Sequence, residues 1–206
     1  MLSSSLLDAA IDQFGRLGFE GASTRAIARA SGTAMSSITY HFGGKQGLYL
    51  AAAEHIAQAI RELQAPALAA ARGAAGGSRR DAAIAMADVL DSFAAMMLRP
   101  ETEGWARFII REQQFPTEAF DRLYAGAMAA IVDVALALVR TARPDLEDAD
   151  ARATGLLLVG QALVLRAGRA SVTRVLGIET IDEPAAALLR ARLRANALCI
   201  LSETVG

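Results

Sequence analysis

The chain has 206 residues, 53% of them hydrophobic and 5% aromatic, with 21 basic and 22 acidic side chains and a formal net charge of -1. This length can bury one large helical core or two small domains sharing one, and the near-neutral balance excludes a globally basic nucleic-acid binder while allowing a small basic face. A lone Cys199 excludes an intrachain disulfide, and the opening residues MLSSSLLDAA lack a basic region followed by an apolar core. A cytoplasmic protein is therefore expected. The longest apolar stretch, Leu156 to Leu165, falls well short of the roughly 20 residues of a membrane span, so no membrane association is expected either.

Alanine and leucine dominate and alternating strand patterns are weak, which predicts an all-α fold. Leu7, Ala10, Ile11, Phe14 and Leu17 recur at helical spacing, with Gly18 as a stop. Ser23 stands where a cap is wanted for a short helix over Thr24 to Ala30, which carries Ile27 inward and closes at Gly32. A third helix is predicted over Met35 to His41. Gly43-Gly44 separates it from a fourth with Leu48, Ala52, Ile56, Ala59 and Leu63 on one stripe, ending at Pro66. The stretch RGAAGGSRR, Arg72 to Arg80, reads as loop, and a joint is expected near residues 64–80. Five further helices follow, about 80–98, 101–114, 117–142, 147–175 and 183–204, broken at Pro100, Pro116, Pro144 and Pro184.

Two short helices joined by a glycine-containing turn, with a supporting helix before them, match a helix-turn-helix. The second helix lies in SSITYHFGGKQGLY, Ser36 to Tyr49. Its outward positions are small or polar, as the major groove demands, with Ser36, Ser37, Thr39, Tyr40 and His41 available to bases or phosphates and Ile38 and Phe42 facing inward. From Arg16 to Lys45 the basic residues Arg16, Arg25, Arg29 and Lys45 oppose only Glu20. Lys45 follows two glycines at a helix start, where backbone N–H groups also favour a phosphate, and Ser23 and Thr24 form a second such start.

On GFEGASTRAIARASG and ITYHFGGKQGLY, residues 6–50 resemble the DNA-binding domain of the TetR family of transcriptional regulators. The resemblance implies phosphate contacts from Tyr40 and Lys45, groove-facing Ser36, Ser37, Thr39 and His41, and a Phe42 that locks the helices together. Two departures stand out. The usual Val-Ser of the turn is Thr33-Ala34, so Thr33 is expected to replace the missing serine cap, and the basic N-terminal arm is absent. The segments WARFIIREQQFPTEAF (Trp105 to Phe120) and GLLLVGQALVLRAGRA (Gly155 to Ala170) resemble a subfamily with a CerR-type C-terminal domain. Together these give a helix-turn-helix domain over 1–50 and a ligand-binding and dimerisation domain over 51–206, entered through a linking helix.

Trp105, Phe108 and Ile109 share a helical face that serves either as ordinary core or, with Phe93, Met97, Tyr124 and Met128, as the wall of an effector cavity. Glu112 continues that face with a charge for which Arg111, Arg107 or Arg166 is a candidate partner. Glu103, Arg107 and Arg111 have the spacing of a solvated ion-pair row. Gln161 and Arg166 interrupt an otherwise apolar helix and are pocket or interface candidates. Leu157, Val164, Leu165, Leu189, Leu193 and Leu198 exceed what one bundle covers and, by the resemblance, form a twofold four-helix interface. Cys199 reads as an inert buried thiol, with a redox link across a dimer axis as the alternative.

His41 and His55 are the only histidines, and neither follows a glutamate at three residues, which disfavours a di-metal helical enzyme. No GxSxG, phosphate-binding glycine loop or Cys-x-x-Cys is present. The expectation is a non-enzymatic, metal-free and cofactor-free homodimeric repressor that binds a duplex operator and is released by a small molecule. A helical carrier of apolar ligands and an activator of the same fold are the alternatives.

Overall fold

The structure, a computed structural model, describes residues 4–202 and is all-helical among them, so the final residues of the predicted 183–204 helix and the first of the opening arm lie outside the described residues. In order the elements are α1 (Ser4–Gly21), α2 (Thr24–Ala30), α3 (Met35–Phe42), α4 (Lys45–Ala74), α5 (Arg79–Leu98), a 3-10 turn (Pro100–Thr102), α6 (Glu103–Gln114), α7 (Glu118–Leu123), a π turn (Tyr124–Met128), α8 (Ala129–Ala142), α9 (Asp148–Ala167), α10 (Arg169–Leu176) and α11 (Glu183–Ser202). They pack as two compact units. The first comprises the chain to Glu62 with Glu101–Met128, and the second comprises Leu63–Pro100 with the chain from Ala129 onward.

In the first unit α1 packs against α2 and α6, and α2 against α3. Phe14, Ile27, Ile38, Leu48 and Phe108 are buried there almost completely. Aromatic rings dominate the centre: Phe14 meets Tyr49 edge-on at 4.8 Å, Phe19 meets Tyr49 at 5.2 Å, and Tyr49 lies 4.7 Å from Phe108. These are the separations at which ring quadrupoles attract.

In the second unit α5 packs against α8, α9 and α11. Its core is aliphatic, with Met86, Leu90, Leu138, Leu158 and Ala162 buried to 1% exposure or less. Capping explains two of the starts. Ser78 Oγ accepts from Asp81 N–H while Asp81 Oδ2 accepts from Ser78 N–H, a capping box for α5. Asp182 Oδ1 accepts from Ala185 N–H at the start of α11.

Several expectations change. Pro66 does not end its helix, since α4 continues to Ala74. The carbonyl that loses its N–H donor is that of Glu62, and both Glu62 and Pro66 are exposed residues, where a helix tolerates a proline at lower cost. The boundary between the two units falls immediately after Glu62. The single helix expected over 147–175 is two helices, α9 and α10, bent by 80° at Gly168. The run Glu118–Ala142, with a mean hydropathy of 1.8 in its most apolar window, reaches the length and apolarity of a membrane span, which the sequence expectation overlooked. Its α8 part packs on α5 and α9 through buried Ile131, Val134, Leu138 and Val139. Cys199 is exposed rather than buried.

Candidate nucleic-acid interface

The turn between α2 and α3 is fixed by its backbone. Gly32, at φ 68°, takes the left-handed conformation that glycine adopts most readily, and Thr33 N–H reaches back to the Ala28 carbonyl at 2.9 Å. The N-cap of α3 is Ala34, with no side-chain capping bond. Thr33 therefore does not replace the missing serine cap, because the chain enters the helix one residue later. Ser23 does occupy the N-cap of α2, yet its hydroxyl makes no capping bond there. It is exposed, with its acceptor available.

Along α3 only Ile38 is buried. Ser36, Thr39, Tyr40 and His41 are exposed and Ser37 is half-buried beside Ile38. Tyr40 is 84% exposed and touches the His41 ring edge-on at 4.8 Å. A tyrosine so exposed contributes almost no burial, so packing does not account for it.

Among the basic residues Arg16 is held by Asp12 at 2.8 Å. Arg25 and Arg29 are exposed and make no hydrogen bond or ion pair among the described residues. The Lys45 ammonium donates to the Glu20 carbonyl at 3.1 Å and lies 4.8 Å from the centre of the Phe19 ring, an ordered position that leaves further N–H donors for an anion.

One residue that the sequence reading passed over is decisive. A Cβ added at Gly47 would stand 1.7 Å from the Phe42 carbonyl oxygen, so α3 and α4 meet this closely only because position 47 is glycine. The signal was present, as a third glycine just inside a predicted helix start, but spacing alone does not distinguish a close approach from a turn.

Behind this face lies a buried carboxylate. Glu112, 1% exposed, accepts from the Tyr49 hydroxyl, at 2.5 Å, and from Thr117 N–H and Oγ1, at 3.0 and 2.9 Å. Its partners are thus a tyrosine and a threonine, not the arginines expected. Burial first, and then the adjacent Glu112, push the Tyr49 hydroxyl well above its ordinary pKa. Arg107 instead bridges Glu103 and Asp12, the latter at 3.0 Å, and is only half-buried.

The predicted ligand residues divide between the units. In the first, Phe108 belongs to the aromatic core, Glu112 is bonded as above, Trp105 is half-buried, Tyr124 is exposed and stacks near Phe120, and the Met128 sulfur lies 3.8 Å from Gln113 Nε2. In the second, Phe93 and Met97 are buried on α5, Gln161 accepts from Asn196 at 3.2 Å, and Arg166 Nη2 donates to the Arg99 carbonyl. A further polar group lies in that unit. Gln64 is 2% exposed, its amide nitrogen is 3.5 Å from the Ser92 carbonyl, and its Oε1 has no partner among the described residues. Of the predicted interface residues, Leu157 and Val164 are exposed, Leu189 and Leu198 half-buried, and Leu165 and Leu193 buried within their own chain. Leu188, which the leucine-rich faces also include, is exposed, and so are Leu156 and Leu163, which the sequence reading did not include.

Comparison with known proteins supplies the context. Residues 6–52 match bacterial regulatory proteins of the tetR family, and residues 82–204 match the C-terminal domain of the HTH-type transcriptional dual regulator CecR. The C-terminal resemblance described as CerR-type is to this CecR domain. The CecR regulator of Shigella flexneri is 30% identical over 186 residues, covering 86% of this chain and 81% of that protein. The regulatory protein RaaS of Mycobacterium tuberculosis is 48% identical over 61 residues, 30% of this chain and 28% of that one. A TetR-like regulator from Rhodococcus sp. RHA1 superposes with a TM-score of 0.64 at 21% identity, covering 95% of this chain and 94% of that one. AmtR of Mycobacterium smegmatis does so with a TM-score of 0.60 at 20% identity, over 98% and 86%. The chain is thus a DNA-binding transcriptional regulator that belongs to the TetR family, with a C-terminal domain of the CecR type.

Proposed function

We propose that the chain is a cytoplasmic homodimeric repressor, acting by binding rather than catalysis, that grips an inverted-repeat operator and is released by a small-molecule effector. The observation that carries this reading is the outward face of α3, where Ser36, Thr39, Tyr40 and His41 are exposed while Ile38 alone is sunk into the core. Ser37 and Thr39 read base edges beside Ser36 and His41. Tyr40, Lys45, Arg25 and the open N-terminus of α2 at Ser23 and Thr24 hold phosphates. Two copies joined through the exposed α9 face, Leu157 and Val164 with Leu156 and Leu163, present two such helices to successive grooves.

The effector reading rests on the second unit. Phe93, Met96 and Met97 offer adaptable apolar surface on α5, and the bare Gln64 Oε1 is an acceptor that a ligand donor would satisfy. A partly apolar molecule with a hydroxyl or amine fits that chemistry. Helix α4 runs from Lys45 to Ala74 and so contributes to both units. An effector that prefers one setting of α4 weakens operator binding by its differential affinity for that state.

Selection of bound duplexes from a random pool, followed by anisotropy titration at two salt concentrations, tests the reading. An enriched inverted repeat bound by a dimer with a steep salt slope is the expected result. Purified protein that enriches no sequence at permissive salt contradicts it. Tyr40→Ala or Lys45→Ala is expected to weaken binding to every duplex, whereas Ser37→Ala or Thr39→Ala changes the preference among operators. Equal losses on specific and random DNA for all four variants would overturn the division of roles.

A further inference from the structure

In the second unit, where α5 begins and α8 and α11 end, a half-open cleft of about 520 Å³ is lined by Arg79, Arg80, Arg143 and Arg194 over an apolar floor that includes Ile84 and Leu198. We propose that this cleft is a binding site for an amphipathic organic anion, its carboxylate or phosphate head held by Arg79 and Arg80 and its apolar tail laid on the floor.

The four arginines are not equivalent. Arg143, although charged, is only 6% exposed, and its N–H groups are committed: Nε and Nη2 to Asp145 at 2.9 and 2.7 Å, and Nη1 to the Ile200 carbonyl at 3.0 Å. Its hydrogen bonds hold the Asp145 carboxyl below the usual carboxylate range, so this pair is a fixed and internally neutral part of the wall. Arg194 is neutralised by Asp88. Asp81, in the first turn of α5, is turned to the Ser78 N–H and hydroxyl.

That leaves Arg79 and Arg80, both exposed and neither making a hydrogen bond or ion pair among the described residues. Both lie in the first turn of α5. Cations there oppose the helix dipole, so the helix itself gives no reason for this pair. Two guanidinium groups with unused forks beside an apolar cleft match a head group with two or more acceptor oxygens, and the volume lies within the range of sites for small organic ligands. The floor excludes a bare inorganic anion as the preferred occupant, because Ile84 and Leu198 offer it nothing. The proposal is independent of DNA binding and of the effector chemistry around Gln64.

Calorimetric titration of the full chain with decanoate, with decanol and with inorganic phosphate tests it, on wild type and on R79Q/R80Q, with thermal melts to confirm folding. Decanoate is expected to bind at this site with one equivalent per chain, and R79Q/R80Q to weaken that binding by about tenfold or more. Decanol and phosphate alone should each bind much more weakly, since each supplies only half of the ligand. A second variant, Ile84→Asn, should weaken decanoate while leaving the weak phosphate binding unchanged. Undiminished decanoate binding in a folded R79Q/R80Q would overturn the proposal. Decanol matching decanoate, phosphate matching decanoate, or no binding of decanoate at all would overturn it equally.

Discussion

The two units solve packing differently. Every aromatic residue of the chain except Phe93 falls in the first, where Phe14, Phe19, Tyr49 and Phe108 interlock. The second is built from alanine, leucine and the methionines of α5, Met86, Met96 and Met97, all buried. Rings with two torsions interlock in few arrangements, whereas methionine adapts to several. A helix that must present hydroxyls to base edges needs a fixed support, and a domain that senses a small molecule needs a core able to repack. On the proposed function, the difference gives rigidity to the unit that reads DNA and adaptability to the unit that senses an effector.

The strongest way to break this comparison is Gly47→Ala. Because an added Cβ would meet the Phe42 carbonyl oxygen at 1.7 Å, this smallest of side chains should separate α3 from α4, costing about 3 kcal/mol or more of stability and abolishing operator binding. Anisotropy and thermal melts measure both. A variant with wild-type affinity would mean the first unit is as forgiving as the second. Next comes Glu112→Ala, which leaves the buried Tyr49 hydroxyl without its acceptor and should cost about 1–3 kcal/mol, while Glu112→Gln, which keeps the shape, costs less.

Met97→Leu in the second unit sharpens the contrast. A volume-conserving change at an adaptable position should cost under about 1.5 kcal/mol in a denaturant titration, and a larger loss would deny the α5 core its tolerance. The smallest effect is at alkaline pH. The hydroxyl of Tyr49 has a raised folded-state pKa, so its stabilising contribution is complete below the unfolded value of about 10 and is lost as pH rises through the folded value. Tyrosinate absorbance should show one tyrosine lagging until the unit unfolds, and Tyr49→Phe should remove the lagging phase. Three tyrosines ionising together in the folded protein would contradict the burial.

Much of this was legible in the sequence, for reasons that can be named. The short helices of the reader announce themselves by glycine punctuation and an inward isoleucine each, Ile27 and Ile38, and the family resemblance sharpened their roles. Proline is a strong local signal, yet the cost of Pro66 falls on one carbonyl four residues earlier, in the exposed residue Glu62, and α4 runs on. Gly168 was missed for the opposite reason, since apolar spacing continues through the bend. The partner of Glu112 could not be read at all. Tyr49 is 63 residues away, and opposite charge is the only pairing rule that a sequence offers for a buried carboxylate. Counting leucines does not show which way each one faces, which is why Leu165 and Leu193, buried within their own chain, look like interface in the sequence.

One contact of the free protein bears on how it meets its operator. The ammonium of Lys45 is already oriented by the Glu20 carbonyl and the ring of Phe19. A lysine on a bare surface surrenders about 1.5–2 kcal/mol of rotamer entropy when it is immobilised, and here most of that surrender belongs to folding rather than to association. If Lys45 holds a phosphate as proposed, the ordering cost of that grip is thereby largely removed from the binding equilibrium. On the proposed function Phe19, which touches no DNA, would thus set operator affinity through the entropy of Lys45 alone.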